Sequence, residues 1–397
     1  MTNPYRSLTL TFTLAFIFFL AGCSTSQIKQ AEQVIRNTQE HFAPDSRTAL
    51  FMISAHAQNG KLLLTGETNL PAAKDALLDS LTLIQTGVVD SISVLPSRDL
   101  NGQIYGIVNN SVANVRSKPA HAAQLATQAT LGMPLKVLKK QGEWYLVQTP
   151  DDYISWVDAG GFQLMDRKKY DAWVSGPKVI YLETFGASLQ EPSAEAQKVS
   201  DLVAGSVLAL DKTVGSYFKV RYPDGRTAYI PRSESMPFDQ WQASVKLTRG
   251  NLVETAKTMM GAPYLWGGTS TKGVDCSGFT KTIYFMNGRI IPRDASQQVF
   301  AGKPIDTSDG FGNLQPGDLL FFGTPATDST NQHVVHVGMW IGNNEFIHSS
   351  GRVHISSVDP TADNFDRYNL NRFLEAKRYV GNRRGNILNV AQMYQLN

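Results

Sequence analysis

The sequence predicts a multidomain α+β protein: a small α+β module, then two all-β modules of short strands, then a C-terminal α+β domain. Three observations predict it. The hydrophobic period changes along the chain, from mixed, to short strands bounded by turn residues, to a helix followed by a long β-rich stretch. The short-strand pattern occurs twice. One cysteine, Cys276, opens the helix of the last part, and His336 and His348 lie in the β-rich stretch beyond it.

The 397 residues suit two to four domains. A net charge of +3, scattered along the chain, gives no footprint for nucleic acid. The short cluster Lys377, Arg378, Arg383 and Arg384 reads as a solvated surface. At the N-terminus, Arg6 precedes an apolar run from Leu8 to Leu20, too short to span a bilayer as a mature helix. Leu20-Ala21-Gly22-Cys23 then resembles a bacterial lipobox. That resemblance implies a lipoprotein signal peptide over 1–22, cleavage before Cys23 and lipidation of its thiol. The expected location is the cell envelope, lipid-anchored in the periplasm or at the outer membrane. An ordinary secretory signal with a chance cysteine is the other reading. The chain has 2 cysteines, so lipidation of Cys23 leaves Cys276 without a disulfide partner. Such a thiol is either buried and inert or reactive.

Residues 23–100 read as a stalk and a small α+β domain. Gln27 to His41 is polar and helix-permissive. Leu50 to Ile53 is an apolar run, Asn59-Gly60 signals a hairpin, and Lys61 to Gly66 returns. Pro71 to Ile84 carries Ala73, Leu77, Leu78, Leu81 and Ile84 at helical spacing, and Val88 to Val94 alternates. No chemistry is visible there.

Residues 101–167 give short strands: Val112 to Arg116, Leu135 to Leu138, Gly142 to Val147 and Tyr153 to Val157. The Asn-x-Arg opening, the Gly-x-Trp-Tyr-x-Val strand and the Tyr-x-x-Trp-Val strand resemble a bacterial SH3 domain. Residues 176–240 repeat the pattern. Gly205 to Leu210 parallels Gly132 to Leu135, Tyr217 to Tyr222 parallels Trp144 to Val147, and Thr227 to Pro231 parallels Ser155 to Val157. Two SH3-like barrels in tandem are expected, joined through Asp166 to Ser175.

Residues 248–382 carry the chemistry. A helix over Leu252 to Met260 ends at Gly261-Ala262-Pro263, and Tyr264-Leu265-Trp266-Gly267-Gly268 is a tight loop. Asp275 can cap a helix from Cys276 to Gly288. Gln315-Pro316-Gly317-Asp318 turns into the strand Leu319 to Phe322, and Asp318 belongs to that turn. A thiol in the first turn of a helix meets unpaired amides and the positive end of the dipole, and both favour thiolate. A thiol nucleophile needs an imidazole in reach and a third group to orient it. Alternation puts His336, Gly338 and Trp340 on one face of the strand Val334 to Ile341, with Gly338 leaving room. The hairpin at Gly342 to Asn344 returns His348 beside it, toward the far nitrogen of His336. A zinc site from His333, His336 and His348 lacks a helical His-Glu-x-x-His pattern, so no metal or cofactor is expected. His333 and His354 read as loop or surface histidines.

Six segments, in order, resemble the NlpC/p60 cysteine peptidases: Tyr264 to Gly268, Asp275 to Phe279, Arg293 to Gln298, Pro316 to Phe322, His336 to Gly342 and Phe346 to His348. The resemblance implies a papain-like fold. It assigns Cys276 as nucleophile, His336 as general base, His348 as orienting residue, and the Cys276 amide with the Tyr264 hydroxyl as oxyanion donors. The layout is further similar to the γ-D-glutamyl-L-diamino acid endopeptidases, also called dipeptidyl-peptidase VI. That similarity implies peptidoglycan-derived peptides as substrate, a role in wall recycling and a requirement for a free N-terminal L-alanine. Asp294 and Tyr153 would bind the amine, while Ser277 and Trp266 would line the substrate site. Two departures stand out: Ala295 replaces a hydroxyl residue, and Lys118 stands where a barrel acid is expected. Asp294 also reads as a helix cap, and Tyr153, Tyr264 and Trp266 as packing aromatics. The other function classes are a wall-binding adaptor with a degenerate peptidase domain, and a thiol acyltransferase or N-acetylmuramoyl-L-alanine amidase. A monomer is expected.

Overall fold

The computed structural model describes residues 9–84, 86–382 and 384–396, with side chains from residue 26 onward. The Cys23 side chain, and with it the lipidation reading, lies outside the described residues. No helix among them is long and apolar enough to cross a membrane. Two compact units follow, Met1–Asp99 and Leu100–Asn397.

In the first unit, strands Phe51–Gln58 and Lys61–Thr68 form a hairpin. Asn59 (φ 52°) and Gly60 (φ 73°) make the left-handed turn that the Asn-Gly pair favours. Helix Pro71–Ile84 buries Ala73, Leu77 and Leu81 and leads to Val88–Val94, which pairs parallel with Lys61–Thr68. The expected stalk is not free. It lies in the helix Thr9–Phe42, whose Ala31 and Ile35, four residues apart on one face, join the core beside Phe51 and Leu77.

The second unit begins with two seven-stranded antiparallel sheets. The first spans Tyr105–Val108 to Phe162–Met165, the second Lys178–Tyr181 to Ser235–Pro237. Numbering the strands of each sheet in chain order, both run seventh, first, fourth, fifth, sixth, second, third. Each fourth strand is bulged, at Val137/Lys139 and at Leu210/Lys212. The repeat read from sequence is thus a repeat of topology, but the strand ladders do not close, so the expected closed barrels are not seen. Helix Arg167–Ser175, capped by Asp166, joins the sheets.

A six-stranded antiparallel sheet follows, in the order Lys303–Ile305, Phe373–Arg378, Leu319–Thr324, His333–Gly342, Glu345–Ser350, Arg352–Ser357. Alternation sends Leu319, Phe321, Val337, Met339 and Ile347 against the helices Arg249–Thr258 and Cys276–Met286, where they meet Leu252, Phe279 and Ile283. Each such apolar side chain contributes roughly 1.5–3 kcal/mol by leaving water. Leu320, Phe322, Trp340 and Phe346 pack on the opposite face. Asn343 and Asn344 (φ 52° and 61°) form the hairpin turn that returns the chain toward His348.

Candidate active site

Cys276 is the first residue of the helix Cys276–Met286, and Asp275 is its cap. Asp275 Oδ1 accepts from the Gly278 amide at 2.7 Å and from Ser277 Oγ at 3.2 Å; Oδ2 accepts from the Gly267 amide at 3.0 Å. The same carboxylate receives the Arg293 guanidinium on both oxygens, at 2.6 and 3.2 Å. Arg293 is 1% exposed, so this fork is a buried, charge-assisted pair. One aspartate therefore holds the helix start, the Tyr264–Gly268 loop and Arg293 together. A methyl group on Gly278 would collide with the Gly268 carbonyl, which explains glycine there.

The register between His333–Gly342 and Glu345–Ser350 runs from Gly342↔Glu345 to Met339↔Ile347 and stops. Beyond it the start of the cysteine helix enters: Ser349 Oγ donates to the Val274 carbonyl at 2.8 Å, and the Val337 amide bonds the Cys276 thiol. The thiol thus sits at the His336–Val337 peptide. His336 Nε2 lies 2.8 Å from His348 Nδ1, and His348 Nε2 lies 3.0 Å from Ser356 Oγ. A Cβ on Gly338 would come 2.9 Å from Phe346 Cδ2 and 3.2 Å from His348 Cβ, so glycine makes the room that alternation required.

Burial reverses one expectation about charge. It pushes the Cys276 thiol up to about 12, with Asp275 adding to the rise; the Val337 and Ser277 amides and Arg293 pull the other way and lose. His336 is pulled down by burial and then by the charges of Arg372 and His354; His348 is pulled down by burial and then by His336. Thiol and imidazoles thus rest neutral. Tyr264 is half-buried, and burial, then Cys276 and Asp275, push its phenol up to about 12, which keeps it a proton donor.

The first seven-stranded sheet closes one side. Thr127 Oγ1 accepts from Arg293 Nε at 3.0 Å. Gln128 Oε1 accepts from the Thr269 amide at 3.0 Å and from Ser270 Oγ at 3.1 Å. Tyr153 Oη donates to Asp294 Oδ2 at 3.3 Å, so the two residues chosen for an amine meet across the modules. Asp294 also caps the short helix Ala295–Gln298, with Gln297 Oε1 accepting from its amide at 3.1 Å, so the helix-cap reading of Asp294 is met. Ser277 is buried and takes a bond from Arg293 at 3.0 Å, so its hydroxyl belongs to the Asp275 network, whereas Trp266 stands 62% exposed.

Sequence reasoning passed over several residues. Arg293 was visible only as the neighbour of Asp294; its place after the apolar Ile290-Ile291 was the available signal of burial. His354, expected in a loop or at the surface, is half-exposed but lies on strand Arg352–Ser357, with its ring 4.4 Å from that of His348, because the two are register partners. Arg378 leaves the solvated cluster, since its guanidinium meets both oxygens of buried Asp318 at 2.9 and 2.7 Å. Gln128, Asp151 and Lys281 carried no motif. No metal-ligating cluster occurs among the described residues.

Comparison with known proteins agrees with this geometry. The model of the NlpC/P60 family matches residues 261–372, and that of the bacterial dipeptidyl-peptidase SH3 domain matches 115–161. A γ-D-glutamyl-L-lysine dipeptidyl-peptidase of Bacillus cereus is 32% identical over 274 residues, 66% of this chain and 77% of that protein. A dipeptidyl-peptidase 6 of Lysinibacillus sphaericus is 30% identical, over 64% of this chain and 91% of its own. The crystal structure of an NlpC/P60 family protein from Bacillus cereus superposes with a TM-score of 0.59 at 25% identity, covering 69% of this chain and 99% of that one. With a thiol at a helix start, a histidine pair on the facing sheet and relatives matched across both modules, the chain belongs to the NlpC/P60 family of cysteine peptidases.

Proposed function

We propose that the chain hydrolyses the γ-D-glutamyl–diamino acid bond of cell-wall peptides that carry a free N-terminal L-alanine. The observation that carries this reading is the Tyr153–Asp294 contact of 3.3 Å, a phenol and a carboxylate contributed by separate modules at one end of the site. A primary ammonium there gains a charge-assisted bond to Asp294 and a hydrogen bond to Tyr153; an acetylated nitrogen loses the charge and adds bulk. The relatives from Bacillus cereus and Bacillus subtilis, γ-D-glutamyl-L-lysine dipeptidyl-peptidases, support the bond type.

The bonding of the histidines supports a Cys-His-His mechanism for this reaction. In the tautomer this reading uses, His336 Nε2–H donates to His348 Nδ1 and His348 Nε2–H to Ser356 Oγ, so His336 Nδ1 keeps its lone pair for the thiol. As sulfur attacks the γ-carbonyl carbon, the thiol proton passes to Nδ1. The oxyanion meets the Cys276 amide, which as first helical residue has no intrahelical acceptor, and the Tyr264 hydroxyl. Collapse breaks the C–N bond, and Nδ1 returns the proton to the leaving amine. Water, deprotonated by the same nitrogen, then cleaves the thioester and regenerates the thiol. Asp366 Oδ2, 3.9 Å from His348 Nε2, favours the transient positive charge.

The purified chain incubated with L-Ala-γ-D-Glu-diaminopimelate should release L-Ala-D-Glu, and the N-acetylated peptide should stay intact; no dipeptide from the free peptide sinks the reading. The reading also includes tandem SH3-like modules, a monomer and a lipid anchor at Cys23 in the cell envelope. Palmitate labelling that survives Cys23→Ser would remove the anchor.

A further inference from the structure

The turn between the fifth and sixth strands of the first sheet, residues 149–153, presents Tyr153, and it is fastened from beneath. Asp151 Oδ2 lies 2.7 Å from Lys281 Nζ on the cysteine helix, with the two side chains 2% and 9% exposed. Neither atom has a hydrogen-bond partner among the described residues, so each charge is compensated by the other. The second oxygen of Asp151 accepts from Thr149 Oγ1 at 2.6 Å. The Asp152 amide donates to the Thr149 carbonyl at 2.9 Å, the Thr149 amide to the Tyr153 carbonyl at 3.0 Å, and Asp152 is left-handed at φ 64°. A non-glycine residue held there is strained and persists only where its surroundings determine it.

A buried ion pair whose ammonium makes no further hydrogen bond adds little net stability, because desolvation consumes the Coulomb gain. Its consequence here is geometric. It joins the turn that carries Tyr153 to the helix that carries Cys276.

We infer that Lys281 and Asp151 are positioning residues for the substrate N-terminus: their ion pair pins the 149–153 turn to the cysteine helix and sets the span between the Tyr153–Asp294 pair and the Cys276 thiol. The role presupposes the amine site proposed above.

The test is steady-state kinetics on L-Ala-γ-D-Glu-diaminopimelate and its N-acetyl form. Lys281→Met should raise KM for the free peptide about tenfold, the usual size of coupling between contacting groups, and leave kcat within about twofold. The rise should vanish in a Tyr153→Phe background, an outcome that a general loss of structure does not give. Lys281→Arg should restore KM. Because Lys281→Met strands the Asp151 charge, Lys281→Met with Asp151→Asn is measured beside it and should show the same KM. A KM rise of equal size in the Tyr153→Phe background, or a lower melting temperature with unchanged KM, overturns the positioning role alone. A wild type that cleaves free and acetylated peptides equally overturns the amine site and this role together.

Discussion

The two seven-stranded sheets contain one turn twice, and the copies do opposite things. In the first, Thr149-Pro150-Asp151-Asp152-Tyr153 links the fifth and sixth strands; in the second, Tyr222-Pro223-Asp224-Gly225-Arg226 does so. The backbone bonds match: Gly225 to Tyr222 at 3.0 Å and Tyr222 to Arg226 at 2.8 Å, with Gly225 left-handed at φ 92° where Asp152 is at 64°. The aspartates differ only in surroundings. Asp151 is buried against Lys281, whereas Asp224 takes Arg226 at 2.6 Å and Asn109 at 3.0 Å at the surface. Topology was duplicated; what differs is which copy faces the cysteine helix, and that Tyr153 stands where the other has Arg226.

The comparison breaks first at Arg293. Arg293→Leu leaves Asp275 as an unpaired buried charge and takes Thr127 off the domain boundary, so urea unfolding should show a loss of about 3–5 kcal/mol. Exchange of the second turn's ion pair, by Arg226→Ala, should cost less than about 0.5 kcal/mol and leave kcat/KM unchanged. Equal losses would mean that the two sheets serve the same structural purpose.

Gly338→Ala sharpens the catalytic side. Its methyl group meets Phe346 and His348, and a displaced His348 no longer orients His336, so kcat should fall about 100-fold with the fold retained. Unchanged kcat would remove His348 from the mechanism.

The histidines also predict a pH dependence of stability. Burial sets both folded-state values below the ordinary 6.5, so the unfolded chain binds more protons once the pH drops under about 6.5. Stability is therefore complete above that pH and declines on acidification, by about 1.4 kcal/mol per unit for each histidine. The His348→Gln variant should show a shallower decline than wild type between pH 6.5 and 5.5; parallel curves would contradict the neutral resting pair.

A small effect is expected at Asp152. Asp152→Gly relieves the left-handed strain but frees the unfolded chain, so stability should shift by about 1 kcal/mol or less. A larger loss would show that the Asp152 side chain itself holds the turn.

Much of this was legible in sequence because it is local. Asp275 before Cys276, the Asn59-Gly60 and Asn343-Asn344 turns, and the alternation that aligns Gly338 with His348 depend on near neighbours and on period. The thiol's charge state was not legible, because it follows from burial by elements far along the chain. Arg293 with Thr127, Lys281 with Asp151 and His354 on His348 were hidden for the same reason: each is a long-range or cross-strand meeting that no spacing announces. The duplicated turn was in plain view, but its meaning required knowing which copy is covered.

The most direct test of the account is the ratio of kcat/KM for L-Ala-γ-D-Glu-diaminopimelate over its N-acetyl form, in wild type and in Tyr153→Phe with Asp294→Asn. With Tyr153 and Asp294 holding the amine, the wild-type ratio should be about 100 or more, worth about 2.7 kcal/mol, and collapse toward one in the variant. A wild-type ratio near one, with active Cys276, would contradict it.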